Sequence, residues 1–250
     1  MKTLEICTFS LASCLTAQEA KAHRIELCGG MPEGGTTPSA GLLMAARKTL
    51  HIPIYVMIRP RGGDFLYNQS EIQTMQYDIG MAKNLGADGI VLGMLDKNGN
   101  VDKALTARLV AQAYPLKVTF HRAFDRTVDV SQAIEAIIEC GCERILTSGQ
   151  ANTADLGLAT LASICQQAQG RIEIMAGSGV NAQNATIMLK TGVDALHFSA
   201  KKTLPSGMIY RGGQISMGSN SAIPEFETVE ADQEKIEAML AVMQAYSLKN

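Results

Sequence analysis

The chain lacks an excess of charge of one sign, and it lacks long hydrophobic runs. Its 22 basic and 24 acidic residues are interspersed and give a formal net charge of −2. Nucleic acids and membrane surfaces attract clustered basic residues, so neither is expected as a partner. No apolar run approaches the roughly 18 residues of a membrane-spanning helix. Glu5 also interrupts the segment where a signal peptide needs its apolar core, and we therefore expect a cytoplasmic protein.

Cysteine is too sparse for a disulfide framework. Six cysteines are scattered over 250 residues, whereas disulfide-stapled domains are small and dense in cysteine. A reducing compartment would keep these side chains as thiols, which leaves metal binding or redox chemistry as their functional roles. With 46% hydrophobic residues, the chain can bury a sizeable core without cross-links.

Apolar runs typical of β-strands alternate with segments of helical periodicity eight times along the chain. The predicted strands are Leu4 to Cys7, Arg24 to Cys28, Ile54 to Ile58, Gly89 to Leu95, Lys117 to Phe120, Arg144 to Thr147, Ile172 to Ala176 and Ala195 to Phe198. Helix exits at Gly86, Gly141 and Gly192 repeat one pattern, in which glycine ends a helix and apolar residues open the next strand.

This repetition predicts an α/β fold, a single (β/α)8 TIM barrel over residues 1–250. Eight βα units in about 250 residues match the usual size of that barrel, and a doubly wound open sheet is the alternative. The segment from Lys201 to Thr228 is irregular and rich in glycine and serine, and helical periodicity returns from Val229 to Tyr246. We expect an extended C-terminal loop over the barrel mouth, followed by a final helix.

Charged and polar side chains come directly after the third and fifth predicted strands, where TIM barrels place their ligands. They are Arg59, Arg61, Asp64, His121, Arg122 and Asp125. Guanidinium groups bind carboxylates or phosphates through paired hydrogen bonds, and a histidine at a strand end can act as general acid or base. We predict that Arg59, Arg61 and His121 form one anion-facing site. Equally, the arginines could tie the mouth together as a structural ion-pair cluster.

The first two strands repeat a Glu-x-Cys motif, at Glu5 with Cys7 and at Glu26 with Cys28. The period of two places both members of each motif on one strand face, and consecutive barrel strands are neighbours. Thiolates select Cu(I), so the two cysteines are the predicted metal ligands, unless both are small core residues. A buried glutamate needs a partner, and we predict that Glu26 pairs with Arg59.

Residues after the seventh and eighth strands can offer backbone amides to a phosphate. They are Gly177, Ser178, Gly179 and Ser199. Amides before a helix bind anions, and a helix beginning at Asn181 would aim them at one spot; the alternative is a tight βα turn. His197, in the eighth strand, is interpreted as a structural barrel residue.

Together these segments resemble the CutC copper homeostasis proteins. The motifs that carry the resemblance are Leu4-Glu-Ile-Cys7, Arg24-Ile-Glu-Leu-Cys28, Ile58-Arg-Pro-Arg-Gly-Gly-Asp-Phe65, Thr119-Phe-His-Arg-Ala-Phe-Asp125, Leu146-Thr-Ser-Gly-Gln150 and Met175-Ala-Gly-Ser-Gly179. The resemblance implies a cytoplasmic, homodimeric TIM barrel that binds Cu(I) in copper homeostasis. The family's mouth residues carry over to Glu26, Cys28, Arg59, Arg61, Asp64, His121, Arg122 and Asp125.

A second function stays open from the residues alone. Rigid interior thiols do not suit a copper carrier, which must present its ligands to a partner for exchange. The charged mouth suits a TIM-barrel enzyme acting on a small anionic metabolite, including a phosphorylated one. In that case Glu26, Arg59, His121 and Asp125 are the expected catalytic residues.

Overall fold

Eight parallel strands close into a barrel in sequence order in this computed structural model, which describes residues 2–211 and 224–248. The strands are β1 Thr3–Thr8, β2 Arg24–Leu27, β3 Ile54–Met57, β4 Gly89–Leu92, β5 Lys117–Phe120, β6 Arg144–Thr147, β7 Glu173–Ala176 and β8 Ala195–Phe198. Pairing of β8 with β1 completes the closure and sets Glu5 opposite His197. The predicted TIM barrel is confirmed, and the alternative of an open sheet is wrong.

Helices follow the strands and cover the outside of the barrel. They are α1 Leu11–Glu19, α2 Ala40–Thr49, α3 Gln69–Asn84, α4 Lys103–Ala113, α5 Val130–Glu139, α6 Leu158–Ala168, α7 Ala185–Leu189 and α8 Gln233–Ser247. A capping box begins α3, where the Asn68 side chain accepts from the Glu71 amide and the Glu71 carboxylate accepts from the Asn68 amide. Helix α5 buries Ile134 and Ile137 from its apolar face.

The two faces of the strands differ in chemistry. Leu4, Ile25 and Ile54 belong to the large apolar core shared with the helices. The alternate positions face the barrel interior, and the register sets Glu5 opposite Arg24 there. Such a buried charge requires a partner of opposite sign, so the interior is organised by ion pairs as well as by apolar packing.

The segment after β8 is more ordered than predicted. Lys201–Pro205 forms β9 and pairs antiparallel with β10, Glu227–Ala231. The Ala231 amide donates to Ser13 Oγ at 3.0 Å, which ties β10 to α1. The middle of the predicted loop, residues 212–223, lies outside the described residues. Within the described residues, no helix combines the length and apolarity needed to cross a membrane.

Candidate functional site

A cavity of about 640 Å³ opens where the barrel strands end. Side chains predicted as site residues line it, namely Cys7, Glu26, Arg59, His121, Arg122 and Asp125. Its volume lies in the range of cavities that hold small molecules or cofactors. The carboxyl ends of separate strands therefore bring thiol, carboxylate, guanidinium and imidazole groups to one place.

Two thiols lie next to each other, Cys7 at the cavity floor and Cys28 buried behind it. Cys7 Sγ is 4.0 Å from Cys28 Sγ, although the register sets Cys7 opposite Glu26 and Cys28 follows directly after β2. Cys7 is partly exposed, whereas Cys28 is buried and its Sγ lies 3.4 Å from Glu26 Oε2. The sulfurs are thus close enough to share one ion, as the strand pattern predicted.

The two thiols differ in acidity. The hydrogen bond from Cys28, helped by His197, outweighs burial and lowers the pKa of Cys7 to about 5. Burial and the neighbouring Cys7 raise the pKa of Cys28 well above its ordinary value. At neutral pH the pair therefore consists of one thiolate, at Cys7, and one thiol that donates to it.

The predicted pairing of Glu26 with Arg59 is wrong. Arg59 Nη1 donates to the carbonyl oxygens of Glu33 and Gly35, both at 2.8 Å, and Nη2 donates to Gly63 O at 3.1 Å. Loop carbonyls thus hold the guanidinium group in place of the carboxylate. Arg59 fastens two loops over the cavity, and its buried Nε has no hydrogen-bond partner.

Glu5 is the glutamate that pairs with an arginine. Arg24 Nε donates to Glu5 Oε2 at 2.6 Å, and His197 Nδ1 lies 2.8 Å from Glu5 Oε1. Burial alone would raise the pKa of Glu5, but attraction to Arg24 and His197 outweighs it and lowers the pKa to about 2. Glu5 is therefore a fixed negative charge beneath the cavity floor.

His197 lines the cavity, contrary to its interpretation as a purely structural residue. Its Nε2 lies 3.7 Å from Glu26 Oε2. Burial lowers the pKa of His197, but the Glu26 charge and hydrogen bonds to Cys7 and Glu5 outweigh it and raise the pKa well above the ordinary value. The Cys7, Glu26 and His197 donor atoms lie within 4.8 Å of one another and could hold a metal ion.

His121 is buried, and its ring orientation is fixed. Nδ1 accepts from the Ala123 amide at 3.1 Å, and burial, together with the charge of Arg59, lowers the pKa of His121 to about 3. A neutral ring whose Nδ1 accepts must carry its proton on Nε2. That Nε2 is buried without a partner, so His121 offers a hydrogen-bond donor to a ligand in place of a general base.

Arg61 does not join the cavity, which corrects the predicted grouping with Arg59 and His121. Its Nε donates to Glu71 Oε1 at 2.5 Å, and its Nη2 donates to Asp64 Oδ1 at 3.0 Å. The capping glutamate of α3 thus draws the guanidinium group away from the mouth. Arg61 and Asp64 brace the loop between β3 and α3.

Asp125 orients the residues around it. Its Oδ1 accepts from Thr147 Oγ1 at 2.5 Å and from the Ser148 amide at 3.0 Å, while its Oδ2 accepts from Arg122 Nε at 2.7 Å. These bonds occupy the carboxylate and hold Arg122, whose side chain is 40% exposed, at the cavity wall. Asp125 is therefore a positioning residue for Arg122.

The residues predicted to cradle a phosphate, Gly177, Ser178, Gly179 and Ser199, are not among those lining the cavity. The Gly177 amide continues the β6–β7 ladder by donating to Thr147 O at 3.0 Å. Helix α7 begins at Ala185 and not at Asn181, so no helix start lies behind the glycines. A tight βα turn describes this segment, and anion binding by it stays a prediction.

Fold and site together define a class: a TIM barrel whose mouth cavity presents one thiol, with a second thiol buried next to it, beside carboxyl groups and a histidine. The CutC family model matches residues 2–202, and the chain belongs to the CutC family.

Related proteins match most of the length of this chain. A CutC family protein of Bacteroides fragilis is 48% identical over 94% of this chain and 96% of its own length. A human protein named copper homeostasis protein cutC homolog is 43% identical over 96% of this chain and 88% of its own length. A solved structure of CutC from Streptococcus agalactiae is 36% identical, with a TM-score of 0.76, covering 80% of this chain and 99% of that one.

Proposed function

We propose that this protein acts in copper homeostasis by binding one Cu(I) ion between Cys7 and Cys28. The observation that carries the proposal is the 4.0 Å separation of the two sulfurs on adjacent strands. Cu(I) prefers thiolate ligands, and two sulfurs about 5 Å apart or closer can hold it in nearly linear geometry. The name of the human relative, copper homeostasis protein cutC homolog, points to the same role.

The acidity and exposure of the pair support the proposal. Cys7 supplies a thiolate to the incoming ion because the pKa of its thiol is about 5. Cys28 must release its proton when the metal binds, so binding is expected to release a proton and to tighten as pH rises. Cys7 lines the cavity, which gives the ion an entry path from the mouth.

Competition with a Cu(I) chelator tests this role. The double variant Cys7→Ser, Cys28→Ser is compared with wild type and with a control that also loses two thiols, Cys142→Ser, Cys165→Ser. We expect the control to match wild type and the first variant to bind Cu(I) at least about tenfold more weakly. Equal affinity of all three proteins would remove Cys7 and Cys28 from copper binding.

We further propose that the protein works as a cytoplasmic homodimer, as its resemblance to the family implies. Sedimentation of the purified protein tests the oligomeric state, and a single species at the mass of one chain would contradict it. Fractionation of the source cells tests the location.

A TIM-barrel enzyme acting on a small anion is the second candidate. The observation that favours it is the cavity wall, where Arg122 is partly exposed and His121 Nε2 has no partner. A carboxylate or phosphate between them would gain a charged and a neutral donor.

Thermal shift with a panel of phosphorylated and carboxylated metabolites tests this candidate. A hit should be lost in Arg122→Met and kept in Arg108→Met, which removes an exposed arginine on α4. Hits that persist in Arg122→Met would place the anion elsewhere.

A further inference from the structure

Cys7, Glu26 and His197 bring three different metal-binding donors together. The sulfur, oxygen and nitrogen atoms lie within 4.8 Å of one another. They come from β1, β2 and β8, which are neighbours across the closure of the barrel. Among the described residues, this is the single group of three or more histidine, cysteine and carboxylate donors close enough to share one ion.

A second carboxylate fixes the histidine for such a role. His197 Nδ1 lies 2.8 Å from Glu5 Oε1, and Arg24 in turn holds Glu5 with a contact of 2.6 Å. With the Nδ1 proton donated to Glu5, Nε2 faces Glu26. A bound metal would take the place of the proton that the raised pKa of His197 keeps on Nε2. Metal-binding histidines almost always donate their other ring N–H to a carboxylate, a backbone carbonyl or a water, and this bond orients the ring and raises its basicity.

Glu26 carries an unused oxygen at the same place. The residue is 2% exposed, and its Oε1 is buried without a hydrogen-bond partner. A buried carboxyl oxygen left unpaired is costly, and burial raises the pKa of Glu26 well above its ordinary value. A positive charge beside the group would let it ionise. Arg59, which could have supplied that charge, binds backbone carbonyls. A cation between Glu26, Cys7 and His197 would satisfy the oxygen.

The donor set indicates which cation fits. Magnesium and calcium take oxygen ligands, and Cu(I) favours the thiols alone. Mixed sulfur, nitrogen and oxygen ligation is typical of zinc, and three protein ligands with one open position are typical of catalytic zinc sites. All three residues line the mouth cavity, so the open position would face it. One thiolate and one carboxylate also balance the charge of a divalent ion.

We propose that Cys7, Glu26 and His197 form a binding site for a divalent cation of the zinc type, which differs from the Cu(I) thiol pair in two of its three ligands. The two sites share Cys7, so only one metal binds at a time. Each has ligands of its own, because Cys28 serves Cu(I) and His197 serves the divalent ion. The site places an open metal position inside the cavity whose wall carries His121 and Arg122.

Cobalt provides the probe, since Co²⁺ bound to a thiolate gives sulfur-to-metal charge-transfer bands and intense d–d bands in tetrahedral geometry. Metal-free protein is titrated with Co²⁺ and then with Zn²⁺, and Cu(I) affinity is measured on the same samples. We expect wild type to show both sets of bands and Zn²⁺ to abolish them. His197→Gln and Glu26→Gln should weaken Co²⁺ binding at least about tenfold and Cu(I) binding by much less, because both variants keep the two sulfurs.

The remaining variants separate this site from the thiol pair. Cys28→Ser should weaken Cu(I) and spare Co²⁺, Cys7→Ser should weaken both, and His51→Gln, which changes an exposed histidine, should change neither. Circular dichroism checks that each variant folds, and Glu26→Gln replaces His197→Gln as the decisive variant if the latter unfolds.

Three results would overturn the proposal. They are the absence of charge-transfer bands in wild type, full Co²⁺ affinity in folded His197→Gln, and loss of Co²⁺ binding in Cys28→Ser. If Cu(I) binding fails to depend on Cys28 while Co²⁺ binding depends on His197, the Cu(I) role fails alone and the divalent site stands.

Discussion

Glu5→Gln is expected to destabilise the barrel more than any exposed charge substitution. Glu5 has a fully buried side chain and contacts Arg24 at 2.6 Å, and the Arg24 side chain is 8% exposed. The substitution keeps the shape of the side chain and removes its charge, so Arg24 stays buried without its ionic partner. Removal of one member of a buried ion pair costs about 3–5 kcal/mol.

The pKa of Glu5 gives a similar estimate of how much its charge contributes to stability. In the folded protein the pKa is about 2, against an ordinary value of 4.5. Each unit of difference corresponds to about 1.4 kcal/mol, so the ionised carboxyl contributes about 3 kcal/mol. A carboxyl with a lowered folded pKa stabilises the fold above its unfolded pKa. That contribution is lost as pH falls from about 4.5 through about 2.

Urea unfolding followed by circular dichroism measures both effects. We expect Glu5→Gln to lower the free energy of unfolding by about 3–5 kcal/mol at pH 7. The difference from wild type should shrink below pH 4.5, because wild type then loses the same charge. Glu135→Gln, which removes an exposed carboxylate 2.7 Å from Arg171, is the control and should have a much smaller effect. A loss below about 1 kcal/mol at pH 7, or a constant difference at all pH values, would refute the reasoning.

Two further predictions concern the cavity floor and wall. Cys7 has a pKa of about 5, so its rate of reaction with iodoacetamide should level off above about pH 6. Cys14, whose pKa is raised by burial to about 11, should stay unlabelled. Mass spectrometry identifies the labelled residue, and a Cys7 rate that still rises at pH 8 would contradict the low pKa. Gly93→Ala should destabilise the fold by about 1–3 kcal/mol, because the added Cβ would lie 2.4 Å from His121 Nδ1. Thermal unfolding measures the loss of stability, and an unchanged midpoint would show that the His121 ring can move aside.

The local sequence pattern was enough to predict the barrel and several of the residues that line its mouth. Apolar runs ending in Arg59 and His121 are visible in the sequence, and strand ends of a parallel barrel converge on one face. Period two places Cys7 and Cys28 on the same face of consecutive βα units, and their sulfurs lie 4.0 Å apart although the register sets Cys7 opposite Glu26. These predictions did not require knowing which strands pair when they are far apart in the sequence.

The partners of the charges could not be predicted in the same way. His197 meets Glu5 only through the pairing of β8 with β1, which joins residues 192 positions apart in the sequence. Arg59 binds carbonyl oxygens whose positions depend on the conformation of two loops, and sequence pattern does not encode these. The salt bridge of Glu5 with Arg24 is readable only after the register is known, because Arg24 opens its strand two residues before Glu26.

X-ray absorption at the copper edge tests the central claim most directly. The protein is loaded with one equivalent of Cu(I), and the atoms bound to the metal are identified by their scattering. Two sulfur ligands are predicted for wild type, one for Cys28→Ser, and none from these strands for the Cys7→Ser, Cys28→Ser variant. Nitrogen and oxygen ligation in wild type, or two sulfurs retained in the double variant, would contradict Cu(I) binding by this thiol pair.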